Sequence, residues 1–301
     1  MMKRIVPTDL AVSEFHQLLL GAVGPRPIAF ASTVSASGHV NLSPFSFFNV
    51  FSANPPILVF SPARRVRGNT TKHTLENVLE VPEVVINVVN FAMTEQMSLA
   101  STEYPKGINE FTKSGFTELA SERVKPPRVK ESPVQFECKV NEVISLGEDG
   151  GAGNLIICQV LMMHVHPAIL NEEGKIDPFK IDLVSRMGGD WYCRAQGDAL
   201  FEVAKPLRKM GIGVDAIPKP IRESFLLDGN DLGKLGNVEV LPSMESVEHF
   251  AHDQRIQEIL NNSSDGLEAR EKLHEFAKSL LDKGDVENAW KALLCDRLNR
   301  N

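Results

Sequence analysis

The residues best suited to chemistry in this 301-residue chain gather around one lysine. Thr70, Thr71, Lys72, His73 and Thr74 stand directly before a helical run, Leu75 to Leu79. A helix start leaves backbone amides without intrahelical partners, and its dipole favours negative charge. Amides, hydroxyls and an ammonium in one place suit a phosphate-like anion, and Arg64 and Arg65 lie just upstream. The same residues also read as an ordinary helix start with solvated charges, and spacing alone leaves both readings open. A second group, Ser46-Phe47-Phe48-Asn49, sets a hydroxyl and an amide among apolar rings. Ser46 and Asn49 can hydrogen bond the polar edge of a flat molecule, while Phe45, Phe47 and Phe48 can wall it. Sheet packing with a bulge is the competing reading there. No Ser-His-Asp or Cys-His set is visible, so no catalytic acid, base or nucleophile is assigned. His164 and His166 alternate along a strand, but no third ligand stands at a recognisable spacing, and no metal site is expected. No G-x-G-x-x-G follows a strand, so a separate dinucleotide domain is not expected.

These residues need a sheet to position them. In the first strand Ile28, Phe30, Ser32 and Val34 share one face, and Ala29, Ala31, Thr33 and Ser35 the other. Ala36-Ser37-Gly38 turns the chain. Val40, Leu42 and the run Phe45 to Phe51 read as one return, ended by Asn54-Pro55-Pro56. Ile57 to Phe60 and Val84 to Val89 are further strands. Val134 to Leu146 and Asn154 to His166 alternate well and flank the Gly-rich turn Gly147 to Gly153, which predicts a long antiparallel hairpin. About six mainly antiparallel strands result. Helices are expected from Ser13 to Leu20 and over Phe91 to Thr102, the latter burying Phe91, Met97 and Leu99. Asn109 to Phe116 is a short helix candidate.

Beyond Phe201 the character changes. Pro206, Pro218 and Pro220 interrupt the chain, and Gly211 to Asp215 and Gly229 to Gly233 read as ordered loops. Ser243 suits a helix cap. Apolar stripes then run through Val247 to Leu260, Leu267 to Leu281 and Val286 to Leu294, which predicts two or three amphipathic helices. Those stripes must be buried against each other, against the sheet or against a second subunit. Two domains are expected, 1–205 and 206–301.

Hydrophobic residues make up 43% and charged residues 24%, ordinary for a globular chain that can bury a sizeable core. A net charge of -7 argues against nucleic acid or an anionic membrane as the main partner. Cys138, Cys158, Cys193 and Cys295 form no C-x-x-C pair, so packed, reduced thiols are expected. No stretch of 18 apolar residues and no signal-like run occurs, and a cytoplasmic protein is the default.

The order of several short elements resembles the flavin reductase-like family, the proteins with an FMN-binding split barrel. They are Arg26-Pro27-Ile28-Ala29, Asn41 to Asn49 (NLSPFSFFN), Pro55-Pro56, Lys72-His73-Thr74-Leu75-Glu76-Asn77 and Arg186-Met187-Gly188-Gly189-Asp190-Trp191-Tyr192. The resemblance spans roughly residues 10–205. It implies a mainly β fold with helices, a split β-barrel, with the later helices as a C-terminal extension. It implies FMN as cofactor, with Ser32, Thr33, Ser46, Phe47 and Asn49 lining the flavin. Lys72, His73, Thr74 and Asn77 would then serve the phosphate. At the middle of its Lys-x-Thr signature the family often has Asp, where this chain has His73. The Arg186 to Gly189 element would lie near the flavin. The implied activity is an NAD(P)H-dependent flavin reductase, with hydride passing to flavin N5 and the pyridine nucleotide bound transiently. A homodimer and a possible partner monooxygenase go with it. Two alternatives stand beside this: a flavoredoxin-like FMN electron carrier, and a flavin-free barrel acting as a binding module.

Overall fold

The computed structural model describes residues 2–204 and 210–296. The chain divides into two compact units, Met1–Phe201 and Glu202–Asn301. Pro206 and the expected boundary between 205 and 206 lie outside the described residues.

The first unit begins with helix α1 (Val12–Ala22) and is built on a seven-stranded sheet. Its strands are β1 (Ala29–Val34), β2 (Val40–Phe45), β3 (Phe48–Ala53), β4 (Pro56–Phe60), β5 (Glu83–Val88), β8 (Val134–Ser145) and β9 (Asn154–Val165). Two minor pairs complete the set, β6 (Glu118–Leu119) with β7 (Arg128–Val129), and β10 (Val184–Arg186) with β11 (Tyr192–Arg194). The order in the main sheet is β2-β1-β5-β8-β9-β4-β3, and every neighbouring pair is antiparallel.

The two outermost strands, β2 and β3, are consecutive in the chain, joined only by Ser46 and Phe47. Three Cα steps separate Phe45 from Phe48 and span about 10 Å at most, so the sheet must curl until its margins approach there. Phe45 on β2 accordingly packs on Phe60 of β4, ring centres 5.4 Å apart. No ladder pairs β2 with β3 among the described residues, so the curled sheet is not closed by hydrogen bonds. This corrects the expectation of one continuous return through Phe51: the apolar run is cut at Ser46-Phe47, and a seam results.

Both faces of the sheet are covered. Every residue of β1 is buried. Ala29 and Ala31 join Phe60, Ile86, Ile156 and helix α2 (His73–Glu80) in one core. Ile28 and Phe30 join Met93, Met97, Phe111 and Phe116 in another, under α3 (Thr94–Leu99) and α4 (Glu110–Ser114). The helix expected over Phe91 to Thr102 is shorter, a 3-10 turn at Phe91–Met93 followed by α3. Phe91 and Leu99, expected inside, are 50% and 48% exposed, and Met93 takes the buried place beside Met97. A short helix, α5 (Pro178–Ile181), is capped by the Asp177 side chain.

Glu137 on β8 is wholly buried and pins the loop before β7. Its carboxylate accepts hydrogen bonds from the Glu122 and Arg123 amides at 3.0 and 2.6 Å and lies 2.6 Å from His164 Nε2. Burial pushes this carboxyl up, but the two amides and His164 outweigh it and hold it below the ordinary glutamate range. Its folded value is depressed, so its stabilising contribution is present above the unfolded value, about 4.3. It is lost as pH falls through the folded value. Denaturant unfolding from pH 7 downward is expected to show a steeper acid loss in wild type than in Glu137→Gln; superimposable acid limbs would reject this.

The second unit has a core of its own. Helices α6 (Lys219–Arg222), α7 (Gly229–Gly236), α8 (Met244–Phe250), α9 (Gln254–Asn261), α10 (Gly266–Asp282) and α11 (Val286–Leu294) surround Leu235, Ile256, Leu273, Leu281 and Trp290. The apolar stripes thus bury one another within this unit. Ser243 caps α8 as expected, its hydroxyl accepting from the Ser246 amide. The stripe expected from Val247 through Leu260 breaks into two helices, because Asp253 caps a new start at α9. Gly229 to Gly233, read as a loop, begins α7. Asp228 and Asp231 form a capping box there, and burial of Leu235 overrides the low helix propensity of three glycines.

Candidate functional site

Lys72 is the residue just before the first turn of α2, with extended backbone and no side-chain cap. The carbonyl of Lys72 already accepts from the Leu75 and Glu76 amides. The amides of His73 and Thr74 stand at the open start of the helix, where no preceding turn supplies a carbonyl. Asn41, Ser43, Arg65, Lys72, His73, Thr74 and the segment 100–104 line a small polar pocket of about 30 Å³ at this helix start. A larger cavity, about 530 Å³, opens at the other end of α2 beside Glu80 and Val81. Its charged groups are exposed, and Glu80 already accepts from the Ala36 amide, so no convergent polar set marks it.

The pocket lining carries two cations, Arg65 and Lys72, and two carboxylates, Glu103 and Glu110. Arg65 Nε pairs with Glu103 at 2.7 Å, and Arg65 Nη1 donates to Thr70 Oγ1 and the Thr71 carbonyl. Burial, then the neighbouring Arg65, lower the Lys72 ammonium pKa, while Glu103 opposes them. Glu110 at the inner wall is buried and accepts from the Leu42 amide; burial raises its carboxyl pKa, and that amide opposes the rise. The Lys72 ammonium, the Arg65 guanidinium and the amides at the helix start are donors of the kind a phosphate takes, so the donor set fits one.

The basic segment is held by the β8–β9 turn. Arg64 N donates to the Ala152 carbonyl, and Gly151 N to the Arg64 carbonyl. A Cβ at Gly150 would stand 2.8 Å from the Val66 carbonyl oxygen, so only glycine lets these loops approach so closely.

The structure brings Lys72, His73 and Thr74 to one pocket. The side chain of Thr74 is buried and accepts from Asn41 Nδ2 at 2.9 Å, which ties α2 to β2. Ser32, Thr33 and Asn77 lie elsewhere, in the interior. Asn77 Nδ2 donates to Thr33 Oγ1 at 3.0 Å, latching α2 to β1, and the Ser32 hydroxyl donates to the Pro127 carbonyl. These three are tied into the fold by their own partners because β1 is central and covered on both faces. Ser46 and Phe47 sit at the seam, with Phe47 38% exposed and 6.0 Å from the His16 ring. Asn49 is exposed on β3, and its Oδ1 accepts from the Val50 amide. The two groups are joined through Phe45: Lys72 Nζ stands 5.9 Å from its ring centre, and Ser46 follows it in the chain.

Two residues not singled out as site residues from sequence stand beside those that were. One is Arg65, whose proximity to Lys72 was visible only as a nearby charge. The other is Arg26, buried behind Ser46, its guanidinium Nε 3.4 Å from the Ser46 hydroxyl. Leu20 and Val23 lie within six residues of it, but Ser46 and Met187 are 20 and 161 residues away, so the sequence marks Arg26 only as part of the Arg26-Pro27-Ile28-Ala29 element. Among the described residues, no helix is long and apolar enough to cross a membrane.

Residues 22–179 match the model of the flavin reductase like domain. A protein of Aquifex aeolicus is 38% identical over 188 residues, covering 62% of this chain and 93% of the relative. Among solved structures, component B of nitrilotriacetate monooxygenase from Bacillus cereus is similar at TM-score 0.63 and 30% identity, over 67% of this chain and 99% of its own. The 2-nitrobenzoate 2-nitroreductase of Pseudomonas fluorescens is similar at TM-score 0.60 and 26% identity, over 69% of this chain and all of its own.

Proposed function

The chain belongs to the flavin reductase like family, and we propose that its first unit is an FMN-binding oxidoreductase that takes hydride from NADH or NADPH. The observation that carries this reading is the juxtaposition of Lys72, Phe45 and Ser46. With its phosphate between Lys72, Arg65 and the amides of His73 and Thr74, FMN would lay its ring along Ser46, Phe47 and Asn49 at the seam. Ser32, Thr33 and Asn77 serve that site from behind: Thr33 and Asn77 hold β1 and α2 in register, and Ser32 ties β1 to the loop before β7. When bound, FMN supplies the hydride acceptor, N5, and stores the electron pair. The residues of this chain grip the phosphate, orient the ring and leave its outer face open to a nicotinamide.

Two further parts of the reading have support. Val50 and Phe51 on the outermost β3 are 63% and 68% exposed, an apolar surface suited to a second copy, so the active form is a homodimer. The likeness to a monooxygenase component favours delivery of reduced flavin to a partner monooxygenase.

The decisive experiment is a spectrum of the purified protein with added FMN, followed by anaerobic mixing with NADH or NADPH. A flavin band that bleaches rapidly supports the assignment. Slow bleaching identifies an electron carrier instead, and failure to bind FMN rejects both. Glu103 supplies a finer check. Its carboxylate occupies the Arg65 Nε donor that a phosphate would use. An exposed ion pair is worth a fraction of a kcal/mol, so Glu103→Gln is expected to tighten FMN about two- to fivefold. Equal or weaker FMN binding by equilibrium titration would show that Glu103 does not compete.

A further inference from the structure

Arg26 is 6% exposed, yet no carboxylate pairs with it among the described residues. Its charge is held by oxygen dipoles alone. Nη1 donates to the Leu20 and Val23 carbonyls at the C-terminal end of α1, Nη2 to the Met187 carbonyl at 2.9 Å, and Nε to Ser46 Oγ. Its backbone also pairs with that of Arg186, N to O at 2.9 Å in both directions. The loop that supplies Met187 is pressed against α1, since a Cβ at Gly188 would stand 3.0 Å from the Gly21 Cα. One guanidinium therefore gathers the end of α1, the seam residue Ser46 and the Arg186 to Gly189 loop.

A purely structural staple would account for these bonds, but the charge is not neutralised. The helix C-terminus offers about half a negative charge. Arg186 adds a second guanidinium nearby, and burial followed by Arg186 lowers the Arg26 pKa. A net positive field therefore remains on the side where Ser46 lies.

We propose that Arg26 is a positioning residue for the flavin that also sets its reduction potential: it fixes Ser46 at the polar edge of the ring and favours the reduced ring over the oxidised one. The inference rests on the reading above that Ser46 faces this edge. Reduced FMN, if bound with its N1 and C2 carbonyl on that edge, would carry its excess negative charge there. A fixed cation close by stabilises the charged form, and its effect is larger away from bulk water.

The test uses the full chain and compares Kd for oxidised FMN in air with Kd for reduced FMN without oxygen. The ratio of the two Kd values reports the bias directly. In Arg26→Gln the preference for reduced FMN should fall about tenfold, which for a two-electron couple equals about 30 mV. Arg26→Lys, which keeps the charge, should stay within about threefold of wild type. Arg26→Met, which removes the charge and keeps an apolar stem, should lower the ratio as Arg26→Gln does, which keeps the inference testable if Arg26→Gln does not fold. A ratio unchanged in folded Arg26→Gln, or in folded Arg26→Met, overturns the inference and leaves the flavin assignment standing. No binding of either flavin form by wild type overturns both.

Discussion

Replacing Lys72 with methionine is expected to weaken FMN binding about thirtyfold while leaving riboflavin affinity within about twofold. The difference between the two ligands is the phosphate, and Lys72 is the cation nearest the amides that would receive it. A hydrogen bond to a charged group is worth about 1.5–3 kcal/mol. The lower part of that range applies here, since Lys72 is only half-buried and water screens it. About 2 kcal/mol corresponds to roughly thirtyfold in Kd. Methionine keeps the length and apolar stem that pass over the Phe45 ring, so the packing changes little. Flavin fluorescence quenching with both ligands measures the effect. If FMN and riboflavin lose affinity together, the substitution has disturbed the ring seat; if neither changes, the phosphate lies elsewhere.

The second large effect belongs to the other unit. Trp290 is wholly buried, and its indole Nε1 donates to the Leu235 carbonyl at 3.1 Å. It stands among Leu235, Ile256, Leu273 and Leu281 in the core of the helices. Trp290→Ala empties that space and leaves a buried carbonyl without its donor, which costs about 3–5 kcal/mol. Urea unfolding followed by far-ultraviolet circular dichroism should show the helical transition of this unit at a much lower midpoint with a similar slope. A loss below about 1 kcal/mol would mean that the helices repack around the gap.

Much of the first unit was legible because its signals are local. The alternation along β8 and β9 and the glycines between them specify a hairpin whatever the rest does, and in the second unit Ser243 likewise caps its helix through a hydroxyl three residues away. What was not legible depends on distant partners. Nothing in Phe45 to Phe51 shows that the apolar run stops being a ladder at Ser46, because the stop is set by sheet order. Thr33 and Asn77 carry side chains fit for a ligand, but 44 residues apart they find each other. Arg26 reaches a carbonyl 161 residues on. Helix α7 failed as a reading for the opposite reason: its glycines argue locally against a helix, and tertiary burial wins.

The seam has a dynamic consequence. Central strands such as β5 and β8 are bonded along both margins, whereas β2 and β3 each keep one margin without a ladder. Opening amplitude follows the number of such bonds that must break, so the rim at Ser46 can breathe while the middle stays shut. A guest seated there could arrive and depart through the outermost staves alone, and turnover of guests would place no demand on the global unfolding barrier.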